Sequence, residues 1–493
     1  MLDEAVAYIE PKPIALPHPG RVHLAGRAAE IGWRAAEEFA PYAWSRALRR
    51  HDRTAAHAIR RIFERLGATY VKFGQAVASS PAIIPMAIAE EFRSCLDQGP
   101  PLPWPLVRKI VEAELGRTIE SMFSEFSHEP VAAASIAVVH RARLHDGREA
   151  AVKVIRPGMG RVVATDMDLM EPVARFLARQ GVEPAGNAVA YLVGLRQQIA
   201  EELDLRNEVR TMAYFRGLYE RFGLRRLVIP QVYEEFCGRR VLTMEFIEGG
   251  PIDNLELART YGVDPAPLVR DLLRAWVLTA LGAGMSHADI HAGNLFLMPD
   301  GRLAMLDWGV VSRLDDDTRD LFHAMVEAAV GHEEAWDRMA GHMIRSQGVM
   351  LQEGFGASRE EIRDLVRMYM EPILTSPLKD VSMAALFMNP EKAREVNYGE
   401  KAPERSLKEK WRQNRIVAKA FSKAMDAGHF EGETQRQTFL AGKQLLYLER
   451  YGRMYTPNEA LLGDKEFLAA ALTMRAGENL GSLETAFGQG TAK

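Results

Sequence analysis

Met285-Ser286-His287-Ala288-Asp289-Ile290-His291-Ala292-Gly293-Asn294 runs into Leu295-Phe296-Leu297-Met298, then Pro299-Asp300-Gly301-Arg302, Leu303-Ala304-Met305-Leu306 and Asp307-Trp308-Gly309. Two apolar runs about a turn containing Asp-Gly read as strand, turn and strand. Such a hairpin brings Asp307 back beside Asn294. Asp289, Asn294 and Asp307 follow one another at intervals of five and thirteen residues. Phosphoryl transfer needs an acid beside an acceptor hydroxyl, and an amide oxygen and a second acid on a metal ion. Solvated acids around an ordinary hairpin would account for any one of the three, but not for all three at this spacing.

Composition sets bounds on this reading. A chain of 493 residues has room for two to four domains. Its 47% apolar and 26% charged residues are ordinary for a globular protein. A net charge of −4 argues against nucleic-acid binding through overall charge. Cys95 and Cys237 alone cannot build a disulfide framework or a cysteine metal cage. The N-terminus lacks a basic segment followed by an apolar run, so no secretory signal is expected. The most apolar helical stretch, Trp276 to Met285, is too short to span a bilayer.

Towards the N-terminus, residues 1–20 hold four prolines and read as an irregular arm. Val22 to Leu66 reads as helical. Arg46, Arg49, Arg50, Arg53, Arg60 and Arg61 give it a basic face, either solvated or lying on an anionic membrane. Leu66 to Gln75 reads as a helix bearing Lys72 and Gln75. Met86 to Asp97 reads as another, and so does Pro105 to Leu115, with proline in its first turn. The runs Val131–Leu144 and Glu149–Ile155 flank Asp146-Gly147, a second hairpin. Lys153 stands among apolar residues there, and a buried Lys needs a charged partner. Glu208, on a helix expected from Tyr191 to Phe215, is available. Ile229–Tyr233 and Arg240–Gly249 read as strands, and Leu268–Met285 as an apolar helix.

With these motifs in order, the chain resembles the UbiB-type atypical kinases, the AarF group associated with coenzyme Q. Lys72-Phe73-Gly74-Gln75 matches that family's Lys-x-Gly-Gln signature. Ala132-Ala133-Ala134-Ser135 matches its Ala-rich loop, which stands in place of a glycine-rich nucleotide loop. Lys153 matches its strand-three Lys, Glu202-Leu203-Asp204 its Glu-x-Asp motif, and Glu208 the ion-pair Glu. His287-Ala288-Asp289, Gly293-Asn294 and Asp307-Trp308-Gly309 complete the set, so the resemblance covers roughly Ile62 to Leu314. The family usually has Gln at Val138, Asn at Thr211, Pro at Ile290 and Ala292, and Phe at Trp308. None of these differences removes a metal or phosphate ligand.

The resemblance implies an α+β, protein-kinase-like, two-lobed fold with an N-terminal helical extension. The expected divisions are an arm with basic helices (1–60), the extension (61–128), a small lobe (129–248), a large lobe (249–455) and a tail (456–493). It implies ATP or ADP and Mg2+ as cofactors. Lys153, oriented by Glu208, would hold phosphates. Ala132, Ala133, Ala134 and Ser135 would line the nucleotide, and backbone at Glu245 and Ile247 would meet adenine. Asn294 and Asp307 would hold metal, and Asp289 would orient or deprotonate the acceptor. Lys72 and Gln75 would meet Glu202 and Asp204. The implied activity is that of an ATPase or a phosphotransferase acting on a small-molecule or lipid acceptor. A nucleotide-binding switch or scaffold is the alternative. The location expected is cytoplasmic, with peripheral contact at the inner face of a membrane left open.

The C-terminal third reads as helices at Asp317–Val330, Glu334–Gly348, Glu361–Leu374, Leu407–Ala427 and Thr434–Tyr451. It carries no legible motif and reads as the remainder of the large lobe.

Overall fold

The computed structural model describes residues 8–47, 54–78, 99–179, 183–348, 358–382 and 433–473. The chain forms two compact units. The first comprises Ile9–Arg210 and Gln231–Phe246, and the second Met1–Tyr8, Thr211–Pro230 and Ile247–Lys493. The expected helices Met86–Asp97 and Leu407–Ala427, and the end of the tail, lie outside the described residues.

In the first unit an extended arm precedes three helices, α1 (Arg21–Ala47), α2 (Ala55–Leu66) and α3 (Ala68–Ala78). Thr54 caps α2 by accepting from the His57 N–H, and Gly67, at a φ of +94°, makes the corner into α3. Then come α4 (Trp104–Leu115) and a short α5 (Ile119–Met122). Next are the strands β1 (Phe123–Ala133), β2 (Ala137–Leu144) and β3 (Glu149–Ile155) and the helices α6 (Met159–Arg179), α7 (Glu183–Glu202) and α8 (Leu205–Arg221). After β4 (Leu227–Val228), which belongs to the second unit, β5 (Val241–Glu245) completes an antiparallel sheet in the order β1-β2-β3-β5. Strand alternation assigns its faces. Ala150, Val152 and Val154 point into a core with Val107, Ile110 and Val111 of α4 and Val241 of β5. Each fully buried Val contributes about 1.5–3 kcal/mol. Lys153 is therefore turned to the opposite face. A buried ion pair not foreseen in the sequence joins α1 to α6. Arg27 donates to Asp166 at 2.7 Å and also to the Leu66 carbonyl at 2.6 Å.

The helix expected from Tyr191 to Phe215 is broken. α7 ends at Glu202 and α8 begins at Leu205. Asp204 sits in the break and accepts from the Arg206 N–H at 3.2 Å, the local capping bond that lets Asp start a new helix. The strand expected at Ile229–Tyr233 is reduced to one bridge, Val232 to Met244, because Pro230 has no N–H to offer a ladder. The strand expected over Arg240–Gly249 spans only Val241–Glu245.

The second unit adds β6 (Gly250–Pro251), α9 (Leu255–Tyr261) and α10 (Ala266–Leu278). α10 stops short of the expected Met285. A π-helical turn at Thr279–Ala283 and Gly284, at a φ of +64°, lead into β7 (Met285–His287). The hairpin expected between Asn294 and Asp307 is present as β8 (Leu295–Leu297) and β9 (Leu303–Met305), paired Leu295 to Met305. These strands form a sheet in the order β4-β9-β8-β6, while β10 (Val311–Arg313) pairs with β7. Gly249 is needed for the close approach beside β8, since a Cβ there would lie 2.5 Å from the Leu297 carbonyl oxygen. Helices α11 (Asp316–Val330), α12 (Glu334–Gly348), α13 (Arg359–Thr375), α14 (Glu433–Tyr455) and α15 (Lys465–Leu472) follow. The whole is an α+β fold with small sheets and a larger helical part. Among the described residues no helix is long and apolar enough to cross a membrane.

Candidate functional site

In the first unit the sheet face opposite the core carries Lys153, and the first turn of α8 carries Glu208. Lys153 Nζ donates to both Glu208 oxygens, at 3.0 and 2.9 Å. Their side chains are 14% and 4% exposed, so the pair is held away from bulk water. A Lys fixed in this way presents its charge at a defined point, as phosphate binding requires.

The Ala-rich segment spans the end of β1 and the turn into β2. Ala132 and Ala133 are strand residues, and Ala134 and Ser135 make the turn. The turn is held from below. The Gly99 N–H donates to the Ala133 carbonyl at 2.8 Å, and Arg156 Nε to the Ala134 carbonyl at 3.0 Å. Gly99 has no room for a side chain, because a Cβ would sit 2.6 Å from the Ala134 oxygen. Ser135 is buried. At the end of β5 the Glu245 N–H is donated to the Gln231 carbonyl at 2.7 Å.

Lys72 on α3 meets Glu202 at the end of α7 at 2.5 Å, and Gln198 donates to the other Glu202 oxygen at 2.8 Å. Asp204 does not join this pair. It takes Arg206 at 2.9 and 2.6 Å. Burial works to raise the Asp204 pKa, but the Arg206 guanidinium and N–H hold it below the usual carboxylate range. Gln75 lies on α3, and its side chain is outside the described part. The arm is stitched to the same corner, with the Ile14 N–H donating to Ala200 and the Lys12 N–H to Asn207. Of the expected basic face, Arg60 pairs with Glu64 at 2.5 Å and Arg61 lies 3.7 Å from Glu38.

In the second unit Asp289, Asn294 and Asp307 are brought together. The Asn294 amide donates to the Asp289 carbonyl at 3.0 Å, which leaves its Oδ1 as an acceptor. The Leu306 N–H donates to the Asn294 carbonyl at 2.9 Å, and this bond draws β9 back to the loop. The Gly309 N–H donates to Asp307 Oδ1 at 3.0 Å. His287 links the two acids. Its Nδ1 accepts the Asp289 N–H at 3.1 Å, so the proton sits on Nε2 and is donated to the Asp307 carbonyl at 2.6 Å. Burial pushes the His287 pKa down to about 4, which keeps the ring neutral, as this bonding pattern demands. Trp308 is fully buried. Its indole N–H donates to Met305 at 2.9 Å, and its ring lies 4.7 Å from Phe215 and 4.4 Å from His287.

One participant was not legible beforehand. Lys443 on α14 lies 2.6 Å from Asp289 Oδ1. The contact crosses 154 residues of sequence, and no local pattern marks it.

The donor set suits a hard, oxygen-seeking divalent ion. Asn294 and Asp307 give one amide oxygen and one carboxylate, and Mg2+ usually takes one or two such protein ligands and completes its shell with phosphate and water. Among the described residues no group of three His, Cys, Asp or Glu side chains could form a closed protein cage.

Residues 94–338 match the model of the ABC1 atypical kinase-like domain. An uncharacterized aarF domain-containing protein kinase of Arabidopsis thaliana, described as chloroplastic, is 31% identical over 84% of this chain and 74% of its own length. A probable protein kinase UbiB of Pseudomonas paraeruginosa is 31% identical over 69% of this chain and 63% of its own. Among solved structures, an erythromycin complex of a Mycobacterium tuberculosis protein aligns with a TM-score of 0.41 and 24% identity. That alignment covers 78% of this chain and 91% of that one.

Proposed function

The chain belongs to the ABC1 (aarF/UbiB-type) atypical kinase-like family, and from that premise we propose that it is an ATP-binding, Mg2+-dependent enzyme of phosphoryl transfer. The observation that carries this reading is the single imidazole of His287, which holds Asp289 and Asp307 in one bonded arrangement with Asn294. Lys153, steadied by Glu208, binds the α- and β-phosphates. Asn294 and Asp307 hold the metal, which when bound neutralises phosphate charge. Asp289 orients the acceptor oxygen and takes its proton. Most of the rate comes from positioning and charge neutralisation.

The acceptor is water or the hydroxyl of a small molecule or isoprenoid lipid, and the likeness to UbiB supports a place in ubiquinone metabolism. Peripheral membrane contact is part of the proposal. Val22, Trp33 and Trp44 on α1 recur every eleven residues, about three turns, and all are exposed, so they line one face. Tryptophan at such a face favours the lipid–water boundary.

The test is nucleotide binding and phosphate release on purified protein with Mg2+, with and without anionic liposomes, beside Asp307→Asn. Wild-type release that falls about 100-fold or more in the variant, at unchanged circular dichroism, supports the enzyme. Equal release in the two proteins removes the assignment. Binding without release assigns a nucleotide-dependent switch or scaffold instead.

A further inference from the structure

The helix α14 carries a cation into the catalytic cluster. The side chains of Lys443 and Asp289, in contact at 2.6 Å, are 17% and 24% exposed. The same helix is fastened to the loop that bears Asp289. Leu440 packs with Ala288 and Val310, and the Tyr451 hydroxyl donates to the Ile290 carbonyl at 2.9 Å. Leu440, Gln444, Leu448 and Tyr451 recur at helical spacing, and all are buried. Packing has therefore fixed the backbone that presents Lys443, and little freedom is lost when its ammonium is positioned. The other oxygen of Asp289 faces His291 Nε2 at 3.7 Å.

An ion pair near a surface stabilises a fold only slightly, so stability alone is a weak reason for this arrangement. The chemistry supplies a stronger one. Phosphoryl transfer spreads charge over three equatorial oxygens, and a positioned side-chain cation commonly meets that charge beside the metal. Asn294 is neutral, and Asp289 and Asp307 are acids. Lys443 brings positive charge to the carboxylate where acceptor and phosphoryl group converge.

We infer that Lys443 is a further catalytic residue, whose ammonium stabilises the transferring phosphoryl oxygens while it stays beside Asp289. The inference rests on the phosphotransfer reading. In the step, the acceptor oxygen forms its bond to the γ-phosphorus. The bond from that phosphorus to the bridging oxygen breaks, and its electron pair leaves on ADP. The acceptor proton passes to Asp289. Lys443 gives up no proton.

The full-length chain is compared with Lys443→Met, which keeps the side-chain length, and Lys443→Arg, which keeps the charge. Phosphate release from MgATP is expected to fall about 100-fold in kcat for Lys443→Met, with KM within about threefold, and Lys443→Arg recovers at least about tenfold. The second readout needs no turnover. MgADP binding is titrated with and without aluminium fluoride, a mimic of the phosphoryl group in flight. Lys443→Met binds MgADP like the wild type but loses most of the tightening that aluminium fluoride brings. Wild-type kcat or wild-type tightening in Lys443→Met overturns the inference. So does a loss that Lys443→Arg leaves unrestored alongside a lowered melting temperature, because that is a structural role. A wild type that binds no nucleotide overturns the phosphotransfer reading itself.

Discussion

His287 Nε2 lies 2.6 Å from the main-chain oxygen of Asp307. The other nitrogen of the ring holds the Asp289 N–H, so this imidazole sets the spacing between the two acids, Asp289 and Asp307. His287→Phe keeps an aromatic ring against Trp308 but removes both of these part-buried hydrogen bonds, at about 0.5–1.5 kcal/mol each. Urea unfolding should show that loss, and phosphate release should fall with it. A variant equal to the wild type in both would show that the link through the imidazole is dispensable.

Lys153 and Glu208 separate stability from function. Glu208→Ala leaves a buried ammonium without its main partner, at about 3–5 kcal/mol. Replacing both residues, with Lys153→Met and Glu208→Leu, should restore most of that stability because no charge remains to be desolvated. Nucleotide titration of the double variant should nevertheless show no binding. Binding at wild-type affinity would remove Lys153 from the phosphate site.

Lys72 and Glu202 are expected to be coupled. They are 18% and 13% exposed and join α3 to α7. A double-mutant cycle with Lys72→Met and Glu202→Gln should return a coupling of about 1 kcal/mol in denaturant unfolding. A coupling near zero would mean that other contacts set the position of α3.

His140 predicts a pH effect. It is fully buried among Trp104 and Phe126, and its Nδ1 donates to the Ser127 carbonyl at 2.9 Å. Its Nε2 has no partner among the described residues. Burial lowers its pKa below the usual 6.5. Above pH 6.5 both folded and unfolded chains carry it neutral. As pH falls below that value the unfolded chain takes the proton first, so stability declines towards the lower folded pKa. His140→Gln should make the decline in unfolding free energy between pH 7 and 5 shallower than in the wild type. An identical slope would show that other groups cause it.

What the sequence revealed follows from range. Asp289, Asn294 and Asp307 were legible because a hairpin with a short turn has nearly fixed geometry, so spacing along the chain becomes spacing in the fold. Lys153 was legible because alternation on β3 separates it from Ala150, Val152 and Val154. The break at Leu203-Asp204 was hidden by flanking residues that all favour helix, with only the short capping bond of Asp204 against them. Pro230 should have argued against a strand, since it removes a ladder donor. The pairs Arg27–Asp166 and Lys443–Asp289 join residues 139 and 154 positions apart. Contacts of that range leave no periodicity to read, and Gln444-Leu445-Leu446-Tyr447 announces only a buried helix face.

The attachment of α14 to the loop of Asp289 sets an order of events at the ribosome. Asp307 is the last of the three loop residues, yet Lys443 is made 136 residues later. At about 5–20 residues per second, that interval lasts roughly 7–30 s. Throughout it the nascent chain can hold Asp289 without the ammonium that meets it. The loop thus emerges with both acids and receives the counter-charge of Asp289 only once α14 has been made, so a chain released before Lys443 would carry Asp289 without the cation that pairs with it.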